Sequence, residues 1–135
     1  MINNLFVKPG DELIIKVAVA IDKKEGKIYA DAIKKDLEEM MKGAPFEIEE
    51  YTVTFRRPSF KDSVDISQGI STDGQNFKFD ILANRYNKMK KLIKSWTFKD
   101  EEGNVLKATE ENINSLNPLI ASVILDQLDL ATGNI

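Results

Sequence analysis

Residues 79–96 read FDILANRYNKMKKLIKSW, and the apolar side chains of this stretch recur in alternating steps of three and four. This spacing places them on one stripe of a helix, so the sequence predicts a helix over the whole stretch. The stripe consists of Phe79, Leu82, Tyr86, Met89, Ile93 and Trp96. Cations lie beside or opposite the stripe, namely Arg85, Lys88, Lys90, Lys91 and Lys94. We therefore expect one side of the helix to pack and the other to face solvent.

The chain after this helix predicts a short hairpin and two more helices. Gly103, in an acid-rich turn, can supply the positive φ that a tight hairpin needs. Thr109 can cap a helix that begins with two glutamates, which suit the positive end of the helix dipole. Asn117 and Pro118 then open a last helix. Its apolar stripe, over residues 119–128, is expected to pack on the preceding long helix.

The N-terminal half predicts a strand, a helix and a second strand. Residues 12–21 are rich in branched apolar side chains and read as a strand with both faces partly covered. Apolar residues at helical spacing predict an amphipathic helix over residues 28–42, which Gly43 stops. Alternation over residues 46–57 predicts the second strand. The alternation changes face near Tyr51, which indicates either a bulge or a strand end covered on both sides.

A further helix and a loop are predicted between these two halves. Pro58 stops the second strand, and Ser59 can cap a helix that runs from residue 60 to about residue 69. Its expected buried side holds Phe60, Val64 and, less regularly, Ile66 and Ile70. The polar run at residues 71–76 reads as a loop.

Together these elements predict an α+β fold. Residues 1–70 are expected to form a small N-terminal β-sheet with a covering helix, and residues 71–76 a connecting loop. Residues 77–135 are expected to form a helical C-terminal subdomain with a short hairpin. At 135 residues the chain can bury roughly two thirds of its unfolded surface, so it needs no disulfide to stabilise it.

Neither histidine nor cysteine occurs in the sequence. Disulfides, thiolate metal sites and nucleophiles paired with histidine are therefore excluded. The seven glycines are scattered at turns and form no phosphate-binding loop. We expect no catalytic activity, no cofactor and no metal, and an enzyme that uses only Asp, Glu and Lys is a remote alternative.

The charge and hydropathy patterns argue against nucleic acid and membranes as partners. The formal net charge of −3 leaves the chain without the overall positive field that binds phosphate backbones. The longest apolar run, residues 17–21, is far too short to cross a bilayer. We expect neither an export signal nor a membrane span, and a nucleic-acid-binding role is a remote alternative.

Six residues are candidates for binding a partner protein: Met40, Met41, Arg85, Lys88, Lys91 and Trp96. The methionines can form an adaptable apolar surface, although core filling is favoured. The basic residues can dock an acidic partner or phosphates. A solvated face, neutralised by the acidic turn at residues 100–102, is favoured over docking. Trp96 can anchor an interface, but the favoured alternative makes it the hub of the C-terminal core.

Three sequence segments carry a resemblance to a known class of proteins. They are TVTFRRPSFKDS at residues 52–63, KLIKSWTFKDEEGNVL at residues 91–106 and TEENINSLNP at residues 109–118, followed by an amphipathic helix. An amphipathic helix that ends in tryptophan, an Asp-Glu-x-Gly turn and a Thr-Glu-Glu-Asn helix start resemble small tail-assembly proteins of tailed bacteriophages. The similar portions cover about half of the chain.

This resemblance implies a chaperone in the host cytoplasm that keeps the tape-measure protein soluble until tail-tube subunits polymerise around it. The amphipathic residues 28–41, 79–96 and 119–128 would cover apolar coiled-coil segments of that partner. The alternative is a structural subunit of the virion, in the tail, baseplate or neck. A heptad-like stripe also suits self-association, so a homo-oligomer is a further alternative.

Overall fold

The computed structural model describes residues 5–22, 24–67, 72–73, 76–77 and 81–133. The strands in these residues are β1 (Glu12–Asp22), β2 (Ile28–Asp31), β3 (Phe46–Arg56), β4 (Thr72–Asp73), β5 (Asn76–Phe77) and β6 (Ile93–Trp96). The helices are α1 (Lys34–Met40), α2 (Phe60–Ser67), α3 (Ile81–Leu92), α4 (Glu110–Asn114) and α5 (Pro118–Thr132). The four longer strands form an antiparallel sheet in the order β2-β1-β3-β6. The predicted α+β fold, with an N-terminal sheet and C-terminal helices, is confirmed.

Strand β1 lies between β2 and β3 in the sheet, and both of its faces are partly covered, as predicted. Leu13, Ile15, Val17 and Val19 point into the main core, where α5 packs on β1 and β2. Ala18 and Ala20 point the other way, into a small cluster with Leu37 and Met41 of the α1 region. The pairing of β1 with β3 runs unbroken from Glu12 opposite Arg56 to Asp22 opposite Phe46. The bulge near Tyr51 is therefore the wrong alternative. Every residue from Tyr51 to Arg56 is buried or half-buried, which confirms the other alternative, a strand end covered on both sides.

Strand β2 replaces the start of the helix that the sequence predicts over residues 28–42. The amide of Asp22 donates to the carbonyl of Lys27, and Gly26 adopts a φ of +70°, so the chain reverses into a hairpin. Ile28–Asp31 then pairs with the end of β1. Helix α1 begins only at Lys34. Pairing with β1 satisfies the backbone groups of β2, and this tertiary contact overrides the helical spacing of the side chains.

Helix α2 has the predicted cap but a different buried side. The amide of Asp62 donates to Oγ of Ser59 at 3.2 Å, which confirms the capping role of Ser59. Phe60, expected to be buried, is 86% exposed, and Val64 is also exposed. Ile66 is buried, as predicted, and Asp62, which is not expected on this side, is buried as well. The predicted helix end at Gly69 and the predicted buried Ile70 lie outside the described residues.

The predicted helix over residues 79–96 is two elements. Helix α3 ends at Leu92, and Ile93–Trp96 forms β6 on the edge of the sheet, paired with β3. The register between β3 and β6 shifts at Thr54/Phe55, so that Ile93 lies opposite Phe55 and Trp96 opposite Val53. Because of this shift, Ile93 and Trp96 lie on the same face of the sheet although they are three residues apart. A spacing of three is typical of a helix, which explains the incorrect prediction. Phe79 lies outside the described residues.

Because β6 belongs to the same sheet as β1, the N-terminal and C-terminal parts of the chain share one core. In the segment predicted as a connecting loop, Thr72–Asp73 pairs with Asn76–Phe77 as a two-stranded ribbon. The remaining residues of that loop, 71, 74 and 75, lie outside the described part.

The C-terminal turn and caps are as predicted. Gly103 has a φ of +86° in the turn between the bridged residues Lys99 and Val105. Oγ1 of Thr109 accepts from the amide of Asn112 at 3.2 Å and caps α4. The side chain of Asn117 accepts from the amide of Leu119 at 2.9 Å and caps α5.

Trp96 is buried at the centre of the core formed by the sheet and the C-terminal hairpin. Its ring packs edge-on against Phe98 with centroids 5.1 Å apart, and its Nε1 donates to the carbonyl of Leu106 at 2.7 Å. Phe98 in turn lies 5.0 Å from the Tyr51 ring. The predicted burial of Trp96 is confirmed, but the core it joins is shared with the N-terminal strands.

Replacing Trp96 with alanine is expected to lower the free energy of unfolding by about 3 kcal/mol or more, because it empties a buried aromatic site and strands the Leu106 carbonyl. Urea unfolding followed by circular dichroism measures this loss. A change below about 0.5 kcal/mol would contradict the burial of the ring.

Asp62 links α2 to the sheet through a carboxylate that accepts four hydrogen bonds. Arg56 donates from Nη1 at 2.5 Å and from Nη2 at 3.0 Å, and Ser59 donates from its amide at 2.9 Å and its Oγ at 3.0 Å. The Arg56 hydrogen bonds are the main reason that the pKa of Asp62 falls from 3.8 to about 2. The ionised carboxylate is therefore the form that stabilises the fold.

Since the pKa of Asp62 is lower in the folded state, its stabilising contribution is present above pH 4 and disappears as the pH falls towards 2. We expect Asp62→Asn to cost about 2 kcal/mol at neutral pH. The gap to the unmodified protein should close between pH 4 and pH 2. Urea midpoints at pH 7, 4 and 2.5 measure the gap, and a gap that stays constant over this range would contradict the ion pair with Arg56.

Candidate protein-binding surface

The structure does not bring the six candidate residues together. Met41, Lys88 and Trp96 are buried, whereas Met40 is exposed on α1. Arg85 and Lys91 are on α3, and both are engaged in ion pairs. Met41 fills the small core cluster beneath α1, as favoured for it, so the methionines do not form a joint apolar surface.

Every cation of the predicted basic face has a carboxylate partner. Nη2 of Arg85 lies 2.6 Å from Asp126, and Nζ of Lys88 lies 3.0 Å from Asp129. The remaining pairs are Lys90 with Glu110 at 3.4 Å, Lys91 with Asp65 at 3.1 Å and Lys94 with Glu12 at 2.5 Å. These partners lie on α5, α4, α2 and β1. The sequence therefore predicts neutralisation correctly but assigns it to the wrong carboxylates.

The acidic turn at residues 100–102 has a local role instead. Oδ1 of Asp100 accepts from the amides of Glu102 and Asn104, both at 2.9 Å, and closes the turn. At Asp65, the hydrogen bond from Lys61 and then that from Lys91 lower the pKa of the carboxyl. The basic side of α3 thus offers paired charges, which are a poor site for phosphates.

Lys88 joins α3 to α5 from a buried position, although the sequence predicts that it faces solvent. Its side chain has no exposed surface, and its ammonium contacts Oδ1 of Asp129. The other oxygen of Asp129 lies 3.0 Å from Nε of Arg85. A buried ammonium needs such a partner, because an unpaired charge in a dry site is costly. This ion pair fixes the distance between α3 and α5.

An apolar groove opens between the same two helices, and one residue of α4 also lines it. It has a volume of about 450 Å³ and is lined by Leu82, Ala83, Tyr86, Met89, Ile113, Ala121 and Leu125. Met89, Ile113 and Leu125 are buried and form its floor, while Leu82 at its rim is 70% exposed. The groove is therefore a concave apolar surface that an exposed leucine extends towards solvent.

Tyr86 is held in place at the wall of this groove. Its hydroxyl donates to Oδ1 of Asn114, and the ammonium of Lys90 lies 4.3 Å from the centre of its ring. On the helical wheel of α3, Arg85 and Lys90 flank the tyrosine on opposite sides. Since each of these cations has its own carboxylate, the groove has apolar walls and charged borders without free charge.

The sequence indicates only one wall of the groove. The stripe of the long helix includes Leu82, Tyr86 and Met89, but it predicts that they are all buried. Leu125 of α5 falls outside the predicted stripe of the last helix, and Ile113 is on a short helix without a stripe. The spacing of Ala121 and Leu125, four apart, is the signal that could have indicated a second apolar side on α5.

Within the described residues no cluster of three or more carboxylates could hold a metal ion, and no helix is long and apolar enough to span a bilayer. No protein-family model, curated protein or solved structure matches the chain. Among the cavities that described residues line, the groove between α3 and α5 has the most apolar lining, and its chemistry suits the binding of apolar side chains.

Replacing Asp129 with alanine is expected to cost about 3 kcal/mol, because it leaves Lys88 charged and buried without its partner. Adding Lys88→Met to this variant should recover most of the loss, since the buried charge is then gone. Asp126→Ala is the matched control: this carboxylate is 68% exposed, and its removal should change the free energy of unfolding by less than about 1 kcal/mol. Equal effects of both single substitutions in urea unfolding would contradict the anchoring role of Asp129.

Proposed function

We propose that this chain is a non-enzymatic protein-binding factor of phage tail morphogenesis, an assembly chaperone for the tape-measure protein or a related tail protein. The observation that carries the proposal is the apolar groove between α3 and α5. A groove of this kind accepts the apolar face of an amphipathic helix, whose anchors recur at steps of three and four residues. Tape-measure proteins, as the resemblance implies, contain long segments with such a face.

Two further observations support this proposal over the alternatives. The segments that resemble tail-assembly proteins, at residues 91–106 and 109–118, include Ile113 of the groove floor and lead into α5. The cations of α3 are all paired, and the net charge is −3, which makes a nucleic-acid-binding role the weaker candidate. DNA binding that weakens steeply with salt would contradict this preference.

The proposal predicts that the chain keeps the tape-measure protein of the same genome soluble on co-expression and co-purifies with it. Leu82→Glu places a charge on the groove rim without disturbing the core, because Leu82 is largely exposed. We expect it to reduce co-purification about tenfold or more, as burial of a leucine contributes about 2 kcal/mol and an unpaired buried charge opposes binding. Leu130→Glu is the matched control, because Leu130 is also exposed on a helix but does not line the groove. Equal recovery with both variants would contradict the groove as the binding site.

Mass spectrometry of purified virions distinguishes the chaperone from the structural subunit. A chaperone is expected in infected cells in complex with tape-measure protein and is absent from finished particles. Recovery of the chain from particles at a fixed copy number would contradict the chaperone role and support the role of a structural virion subunit.

A further inference from the structure

The sheet has an edge that is only half occupied. Strand β3 pairs with the whole of β1, but β2, on the other side, pairs only with residues 18–21. No strand of the described residues pairs with residues 12–17 on that side. Among the described residues, half of β1 is therefore left without a neighbouring strand, and such an edge can template pairing with another chain.

Hydrogen bonds at the two ends of β1 show which residues direct their backbone groups to the open edge. The amide of Asp22 donates to Lys27 and its carbonyl accepts from Gly26, both at 2.9 Å, so this even-numbered residue faces the β2 side. The carbonyl of Asp11 accepts from the amide of Arg57 and faces the β3 side. Because backbone groups alternate along a strand, Glu12, Ile14 and Lys16 direct their amides and carbonyls to the open edge.

The side chains of these three residues lie on a part of the sheet that α1 does not cover. Ile14 is 65% exposed, and Glu12 and Lys16 are exposed as well. Their neighbours Leu13 and Ile15 point into the main core. The open edge thus presents an isoleucine between an acid and a base, each two residues away.

We propose that this edge pairs with the same edge of a second copy of the chain, antiparallel and about a two-fold axis at Ile14. In this register Ile14 lies opposite Ile14 of the other copy, and Glu12 lies opposite Lys16 in both directions. Each of these three pairs is of the type that exchanges two backbone hydrogen bonds, and the side chains combine an apolar contact with two opposite-charge pairs. The two sheets become one continuous sheet.

Two features of the chain set the ends of the paired segment, and both allow the same number of paired residues. At one end Asp31 of β2 occupies the position beside Ala18. In the proposed register that position would face Gly10 of the second copy. There the second chain has already turned: Gly10 has a φ of +93°, and the amide of Asp11 donates to the carbonyl of Lys8 at 3.1 Å. The strand of the second copy therefore begins after Gly10, at the point where β2 of the first copy ends.

Charge selects this register over its neighbours. A shift by two residues places Ile14 opposite Glu12 or opposite Lys16 and separates the charges from their partners. A lysine on an open edge ordinarily opposes pairing, because its charge would be held against another strand. Here Glu12 of the second copy neutralises it, and Glu12 also keeps its own contact with Lys94 at 2.5 Å. The contact is smaller than a standard interface, so the dimer is weak and concentration-dependent.

Sedimentation equilibrium over a range from about 10 μM to 1 mM tests the pairing by mass action. The unmodified chain should shift towards the dimer over this range. Lys16→Glu and Glu12→Lys each oppose like charges in a homodimer, and each should weaken it tenfold or more. Mixed together, these two variants regain opposite charges at both positions and should form a heterodimer. Lys35→Glu, an equal charge change at an exposed position on α1, is the control and should dimerise like the unmodified chain.

Three results of the sedimentation experiment would overturn the proposal. They are a chain that stays monomeric over the whole range, a dimer that Lys16→Glu leaves unchanged, and two variants that remain monomeric when mixed. Both substituted side chains are exposed, so we expect each variant to fold like the unmodified chain. Circular dichroism of each variant checks this expectation. Slower amide exchange at Ile14 and Lys16 at high protein concentration would place the contact on the β1 edge, and unchanged exchange there in a dimer would exclude it.

Discussion

The unbroken antiparallel pairing of β1 with β3 is the constraint on which the rest of the structure depends. Its register, from Glu12 opposite Arg56 to Asp22 opposite Phe46, decides which side chains face the main core. A slip by one residue would move the whole apolar set of both strands to the opposite face. Helix α5 packs on the core side of this sheet, and β6 joins it beside β3. The position of α5 on the sheet, and with it one wall of the groove, depends on this pairing.

The groove exists because the sheet and a buried ion pair hold α3 and α5 at a fixed separation. Strand β6 continues directly from α3, so the end of that helix is tied to the sheet. Farther along, Lys88 and Asp129 connect the two helices from inside. Ala83 and Ala121 line the groove, and their small side chains leave space that larger residues would fill. The same arrangement pairs the cations of α3 with carboxylates. A partner would therefore bind this surface mainly through apolar contacts.

What the sequence predicts correctly depends on local rules, and what it misses depends on distant partners. The cap at Thr109, the turn at Gly103 and the branched run of β1 are each decided by a few neighbouring residues. Strands β2 and β6 are missed because pairing with the sheet decides them, against side-chain spacings typical of helices. The burial of Lys88 depends on Asp129, 41 residues away, and no local pattern indicates that contact. The groove is half predictable for the same reason: one wall follows a helical stripe, whereas the other needs the packing of α4 and α5.

The proposed role depends on the claim that the groove between α3 and α5 is the surface that meets a tail protein. Photo-crosslinking from position 82 in infected cells tests this claim most directly, because a benzophenone side chain there lies at the groove rim. The account predicts an adduct with the tape-measure protein that is much stronger than the adduct from position 130, outside the groove. Equal adducts from the two positions, or no adduct with any tail protein from position 82, would contradict it.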